Sequence, residues 1–164
     1  MEKTNVMRVL DQKKVKYVPH SIGDNSTMTG ADVADALGKP PEVVFKTLVT
    51  VGKSGANYVF VVPIGGELDL KKAAKAVGEK SIEMLKSREL LPLTGYIHGG
   101  CSPIGMKKFF KTTFDISAKD KDTICFSAGR IGYQVELSPS DLPKVIRFQY
   151  ADIAAGRRSS SEAL

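Results

Sequence analysis

An α+β domain with a largely antiparallel sheet is what the sequence predicts, and three observations predict it. Two runs rich in Val, Phe and Tyr, residues 43–51 (VVFKTLVTV) and 57–64 (NYVFVVPI), flank a short turn-forming connector. Short helical segments carry their own caps. Helices and strands also follow one another without the βαβ alternation of a parallel sheet. At 164 residues, 42% hydrophobic and 26% charged, one domain with one core is expected. Residues 1–155 are assigned to it, and the polar tail 156–164 (GRRSSSEAL) is expected to be disordered.

Taken in order, residues 5–15 (NVMRVLDQKKV) place Val6, Val9 and Leu10 on one helical face, and Tyr17 and Val18 open a short edge strand. In TGADVADALG, Thr29 stands three residues before Asp32, as a helix cap requires. Ala31, Val33, Ala34 and Leu37 form the apolar face and Gly38 the stop. Pro40 and Pro41 lead stiffly into the hairpin 43–51/57–64, expected at the centre of the sheet. Asp69 caps a helix with Leu70, Ala73, Ala74 and Val77 at helical spacing, and Gly78 ends it. SIEMLKSREL (81–90) reads as a second short helix, the pair covering one face of the sheet. Further on, strands are expected near 94–98, 112–116, 123–128 and 131–137, and SPSDLPKVI (138–146) opens a last helix.

Composition excludes several classes of function. No stretch approaches the ~20 apolar residues that span a bilayer, and the first residues lack a secretory pattern, so a cytoplasmic protein with no membrane partner is expected. Cys101 and Cys125 form no CxxC pair, and His20 and His98 belong to no cluster with metal-ligand spacing, so neither metal nor cofactor is expected. The net charge of +6, with a pI near 9.3, favours a polyanionic partner.

Lys46 interrupts the apolar run VVFKTLV. On a strand it shares a face with Val44, Leu48 and Thr50, while Phe45, Thr47, Val49 and Val51 point the other way. One reading is a lysine whose stem packs on the sheet and whose ammonium reaches water at the rim. The other is an ammonium in a cleft, pairing with an anion or polarising a carbonyl. Two glycine-dense loops favour the second, GGCSPIG at 99–105 and SAGRIG at 127–132, because backbone N–H groups there approach a ligand closely. GGCSPIG departs from the GxSxG nucleophile elbow, so serine-hydrolase chemistry is not indicated. Cys101 has no identifiable His and acidic partner, which favours a pocket-lining or core role over a nucleophile. Lys71, Lys72 and Lys75 read as a solvated helix face. Lys107, Lys108 and Lys111, following the glycine loop directly, are better placed to contact a nucleic-acid backbone.

The ordered set FKTLV, LKKAAKAVG, TGYIHGGCSPIGMKK and SAGRIGYQVELSPSDL resembles the YbaK family of aminoacyl-tRNA deacylases, related to the editing domain of prolyl-tRNA synthetase, from about residue 5 to residue 153. The resemblance implies a mixed sheet curved towards a barrel and flanked by helices. It also implies hydrolysis of the ester joining a wrong amino acid to tRNA, with cysteine on tRNA for proline as the substrate. A synthetase site separates residues of such similar size by only about 1–3 kcal/mol, so the error needs correcting. Lys46 matches the family's essential lysine, with Thr47 in the same motif. Gly99 and Gly100, followed by Cys101 and Ser102, match its glycine loop, Ser127, with Ala128 and Gly129, matches a second pocket wall, and Gln134 is a further candidate for contact with the substrate. In cysteine-specific members the substrate's own thiol attacks the ester, which asks the enzyme for positioning rather than a nucleophile. Mischarged tRNA and prolyl-tRNA synthetase are the implied partners. Some members carry aspartate at the position of Gln134 and aromatic residues near those of Ile22 and Thr29, which bears on amino-acid specificity. Removal of alanine or serine from tRNA, a non-catalytic tRNA- or nucleotide-binding module, and a domain whose lysine is structural are the competing readings.

Overall fold

The computed structural model describes residues 1–156; most of the tail 156–164 therefore lies outside the described residues. Helix α1 (Asn5–Gln12) starts where Thr4 Oγ1 accepts from Met7 N–H at 3.2 Å, and it buries Val6, Met7 and Leu10. Strand β1 (Val18–Ser21) follows. Helix α2 (Gly30–Leu37) opens with the reciprocal Thr29–Asp32 capping box and ends at Gly38 in the left-handed region. It buries Val33, Ala34 and Leu37, whereas Ala31, expected on that face, is turned to solvent.

Strands β2 (Phe45–Gly52) and β3 (Asn57–Pro63) form the expected hairpin, with Lys46 opposite Val62 and Thr47 opposite Val61. They sit inside a five-stranded sheet of order β4-β2-β3-β5-β8, completed by β4 (Ile82–Met84), β5 (Lys111–Asp115) and β8 (Gln149–Ala151). Helix α3 (Leu70–Val77) is capped by Asp69, which accepts from Lys71 N–H and Lys72 N–H at 3.0 Å. Its Ala73 and Ala74 pack on Phe60, Val62, Ile82 and Ile153, so small residues let the helix lie close against one face of the sheet.

The segment 81–90 is not a single helix. Ile82–Met84 pairs with the end of β2 as β4, and the helix α4 (Ser87–Thr94) begins only after Lys86. The open edge of β2 supplies hydrogen bonds that a helix there would leave unmade, and α4 packs instead through Leu90 and Leu93 on the larger core. No strand covers 94–98. Thr94 ends α4, its hydroxyl donating to Leu90 O at 2.7 Å, and Gly95 takes the left-handed cap. The last helix is a 3-10 turn at Pro139–Lys144, and the three-residue β8 carries no sequence signal of its own.

The second sheet has the order β1-β7-β6, with β6 (Ile124–Ser127), β7 (Tyr133–Leu137) and β1 at its edge. Among the described strands all pairings are antiparallel except β3 with β5 and β5 with β8. The bridge between Val44 and Cys125 joins the two sheets, so they curve around a common core. Val6 and Leu10 of α1 meet Phe45, Val49, Phe114, Phe126 and Val135 there. Each fully buried phenylalanine contributes roughly 1.5–3 kcal/mol of hydrophobic stabilisation.

Candidate active site

Strand β2 is open along part of one edge. β4 pairs only with Thr50–Gly52, and the bridge at Val44 hands the chain to β6, so Phe45 to Val49 border a gap between the sheets. That gap is a cavity of ≈ 490 Å³. α2 and its preceding loop (Asn25, Met28, Val33), the β4–α4 segment (Leu85, Leu90), the glycine loop (His98, Gly99, Cys101) and the second sheet (Ser127, Gln134) complete its walls. Its size lies within the range of small-molecule sites.

Lys46 lines the cavity with its side chain 27% exposed, and its ammonium lies 3.7 Å from a carboxylate oxygen of Glu67, itself 84% exposed. The ammonium thus stands at the rim with a loosely held, exchangeable counterion. Thr47 Oγ1 and Gln134 Oε1 are buried without a hydrogen-bond partner among the described residues. Both residues line the cavity, Gln134 is only 4% exposed, and a buried polar atom left unpaired costs about 1–3 kcal/mol. Gln134 stands opposite Ser127 on β6, which forms the same wall. Ser127 Oγ accepts from Gly129 N–H at 3.1 Å, fixing the turn that follows the strand.

The glycine loops are tied to each other rather than free. Gly99 faces the cavity, whereas Gly100 N–H donates to Ile97 O at 3.0 Å. A Cβ on Gly100 would lie 3.1 Å from Ile131 N, so glycine lets the two loops approach this closely without displacing the backbone at Arg130 and Ile131. Asn25 joins them, its Nδ2 donating to Gly99 O at 3.4 Å and its Oδ1 accepting from Gly132 N–H at 2.8 Å. Of the residues singled out in the sequence, Lys46, Thr47, Gly99, Cys101, Ser127 and Gln134 therefore line one cavity. Gly100, Ser102 and Gly129 stand behind it. Ser102 is fully buried, its Oγ accepting from Ile104 N–H at 3.3 Å, and Gly129 packs against Tyr96. Asn25, Met28 and Leu90 escaped the sequence reading. The turn-forming stretch GDNST marks a loop, but nothing local shows what that loop touches.

Burial pushes the Cys101 thiol up to about 12, so it is protonated at neutral pH and is no thiolate nucleophile. Among the described residues, no aspartate or glutamate lines the cavity. Behind it, on the sheet face under α2, His20, Cys125 and Glu136 bring one potential ligand atom each within 4.8 Å of one another. Sequence spacing could not show this group, because strand pairing assembles it. Glu136 already accepts from Lys39 Nζ at 2.9 Å and Thr123 Oγ1 at 2.7 Å and bonds His20 Nε2 at 2.9 Å, so a cation is in place as its counter-charge. Burial acts to raise its pKa, and these hydrogen bonds outweigh it and hold the carboxyl at about 2.

The aminoacyl-tRNA editing domain model matches residues 24–145, a span that contains every residue lining the cavity. A protein of Enterococcus faecalis (strain ATCC 700802 / V583), named as a candidate Cys-tRNA(Pro)/Cys-tRNA(Cys) deacylase, is 44% identical over 153 residues, covering 93% of this chain and 93% of the relative. A proline–tRNA ligase of Fervidobacterium nodosum (strain ATCC 35602 / DSM 5306 / Rt17-B1) is 28% identical over 109 residues, covering 59% of this chain and 19% of the ligase. A solved structure described as a candidate trans-editing enzyme for prolyl-tRNA synthetase superposes with a TM-score of 0.79 at 26% identity, covering 94% of this chain and 100% of that one.

Proposed function

The chain belongs to the aminoacyl-tRNA editing domain family, and from that premise we propose that it hydrolyses mischarged aminoacyl-tRNA, with cysteine on tRNA for proline as the substrate. The 44% identical relative named for that activity supports the choice of substrate. Lys46, Thr47, Gly99 and Gln134 carry the reading, because a cation, two hydrogen-bonding side chains and a glycine backbone on the wall of one cavity suit a small polar guest. Gln134 Oε1 accepts a hydrogen bond from the α-ammonium of the amino acid, an amide doing with one bond what a carboxylate does with charge. Thr47 Oγ1 hydrogen-bonds the ester, and the Lys46 ammonium, exchanging Glu67 for a stronger anion, holds the phosphate of the terminal adenosine.

The attacking group is the substrate's own thiol. Its sulfur bonds to the ester carbonyl carbon, the bond from that carbon to the ribose oxygen breaks, and the ribose oxygen takes the proton that the thiol gives up. Water then opens the released thiolactone to free cysteine. This sequence needs no enzyme nucleophile and no carboxylate base, in keeping with a cavity wall that has neither a thiolate nor a carboxylate among the described residues. Gly99, at the cavity wall, offers its N–H to the carbonyl oxygen as negative charge develops there. Prolyl-tRNA synthetase, the source of the error, is the cellular partner, and the cytoplasm is where both act.

Release of labelled amino acid from Cys-tRNA, Ala-tRNA and Ser-tRNA for proline, with the intact protein and with Lys46→Ala, tests the proposal. Loss of cysteine alone, slowed about 100-fold or more by the substitution, is expected. Loss of alanine or serine at the same rate overturns the thiol step, and no release from any of the three overturns the deacylase reading.

A further inference from the structure

Phe109 is the most exposed large aromatic residue among those described, 58% accessible, although its neighbour Phe110 is buried in the core. Its ring does not stand alone. The Arg147 guanidinium lies over it, 5.2 Å from the centroid, and the Lys108 ammonium lies 5.5 Å from the Phe110 centroid. Thr113 stands opposite Gln149 in parallel strands, and Lys111 and Arg147 each precede that pair by two residues. Lys107, Lys108, Lys111 and Arg147 are all exposed. The two segments that supply them hold no acidic residue, since none occurs from Leu90 to Phe114 or from Leu142 to Ala151. Unbalanced positive charge around an accessible ring is the surface that a polyanion with flat bases fits.

The platform adjoins the cavity through α4. Leu90 lines the cavity, while at the far end of the same helix Lys107 N–H donates to Thr94 O at 3.0 Å and Lys107 Nζ to Pro92 O at 3.4 Å. Those helix positions are separated by roughly 6 Å along the axis, about one turn.

We propose that Phe109 and Arg147 form a stacking platform for an unpaired base in the single-stranded 3′ end of the tRNA, with Lys108 and Lys111 contacting the adjoining phosphates. The nature of the RNA rests on the deacylase reading, whereas the platform rests on the ring and the charges. Stacking grips any base and phosphate contacts any sequence, so this surface holds the acceptor end without selecting the tRNA.

Fluorescence anisotropy with unacylated tRNA for proline, and with the same RNA lacking its terminal CCA, tests the platform. Unacylated RNA carries no ester, so this result and that of the release assay fail separately. Phe109→Ala is expected to weaken binding of the intact RNA roughly tenfold, with Phe109→Tyr restoring it and Phe109→Leu failing to do so. For the truncated RNA the same substitution is expected to change little. Arg147→Ala should lower the dependence of log affinity on log salt by about 0.7–0.9. Equal affinity of Phe109→Ala and the unaltered protein for intact RNA overturns the proposal. So does a loss that persists undiminished without CCA, or a full rescue by leucine.

Discussion

Asn25 and Gly132, 107 residues apart in sequence, are joined by a hydrogen bond of 2.8 Å from the Gly132 N–H to Asn25 Oδ1. The other end of the same amide reaches Gly99 O, so one side chain sets the spacing between the two glycine loops and one wall of the cavity. Asn25→Ala removes both bonds and should lower stability by about 1–2 kcal/mol. It should also lower the rate of cysteine release more than it lowers tRNA affinity, because Gly99 loses its fixed place. A thermal melt and a comparison of kcat with KM check this; reduced stability with an unchanged kcat would show that the bridge serves folding alone.

Glu136 makes the fold sensitive to acid. Its carboxyl is held at about 2 in the folded protein against an ordinary 4.5, so the folded state binds the proton less readily than the unfolded chain. The resulting stabilisation is complete above the ordinary carboxylate value and is lost as pH falls from about 5 towards 2. Glu136 ties β7 to β1 through His20 and to the end of α2 through Lys39. Glu136→Gln should therefore cost about 2–3 kcal/mol at pH 6 and much less at pH 2. Chemical unfolding at both values is the measurement, and a penalty that does not shrink on acidification contradicts the assignment.

Cys101 should be nearly inert to alkylation. With its thiol pushed up to about 12, the thiolate fraction at pH 7.5 is far below that of an exposed cysteine. Iodoacetamide labelling of the folded protein, followed by mass spectrometry, should proceed at least 100-fold more slowly than in the unfolded chain. Labelling at comparable rates would reopen a nucleophilic role for this residue.

What could be read from the sequence was what the chain determines locally. The Thr29–Asp32 capping box, the Asp69 cap, the stops at Gly38 and Gly78 and the hairpin around GKSGA are decided by residues within a turn or two of each other, and all stand in the structure. β4 and β8 escaped because three residues have no periodicity, and neighbours far along the chain make them strands. The site divides in the same way. Lys46 stood out because an ammonium interrupts an apolar run, and the glycine loops because glycine is the residue of close approach. The Asn25 bridge and the His20–Glu136 contact, 116 residues apart, exist only once the sheets have closed.

Lys46 and Glu67 supply a test that separates binding from stability. Their contact is 3.7 Å long and its acidic partner is mostly in water, so it contributes at most about 1 kcal/mol to the fold. Lys46→Ala should therefore leave the melting temperature within about 3 °C of the unaltered protein while slowing deacylation about 100-fold. Glu67→Gln should act in the opposite direction on function. With the competing carboxylate gone, the ammonium is free for phosphate, and KM for tRNA should fall about two- to fivefold at low salt, the gain fading as salt screens both interactions. A structural lysine gives another pattern, in which Lys46→Ala lowers the melting temperature sharply and Glu67→Gln leaves KM where it was. Paired melts and rate measurements on the two variants distinguish these outcomes, because the first pattern moves kinetics without stability and the second moves stability without kinetics.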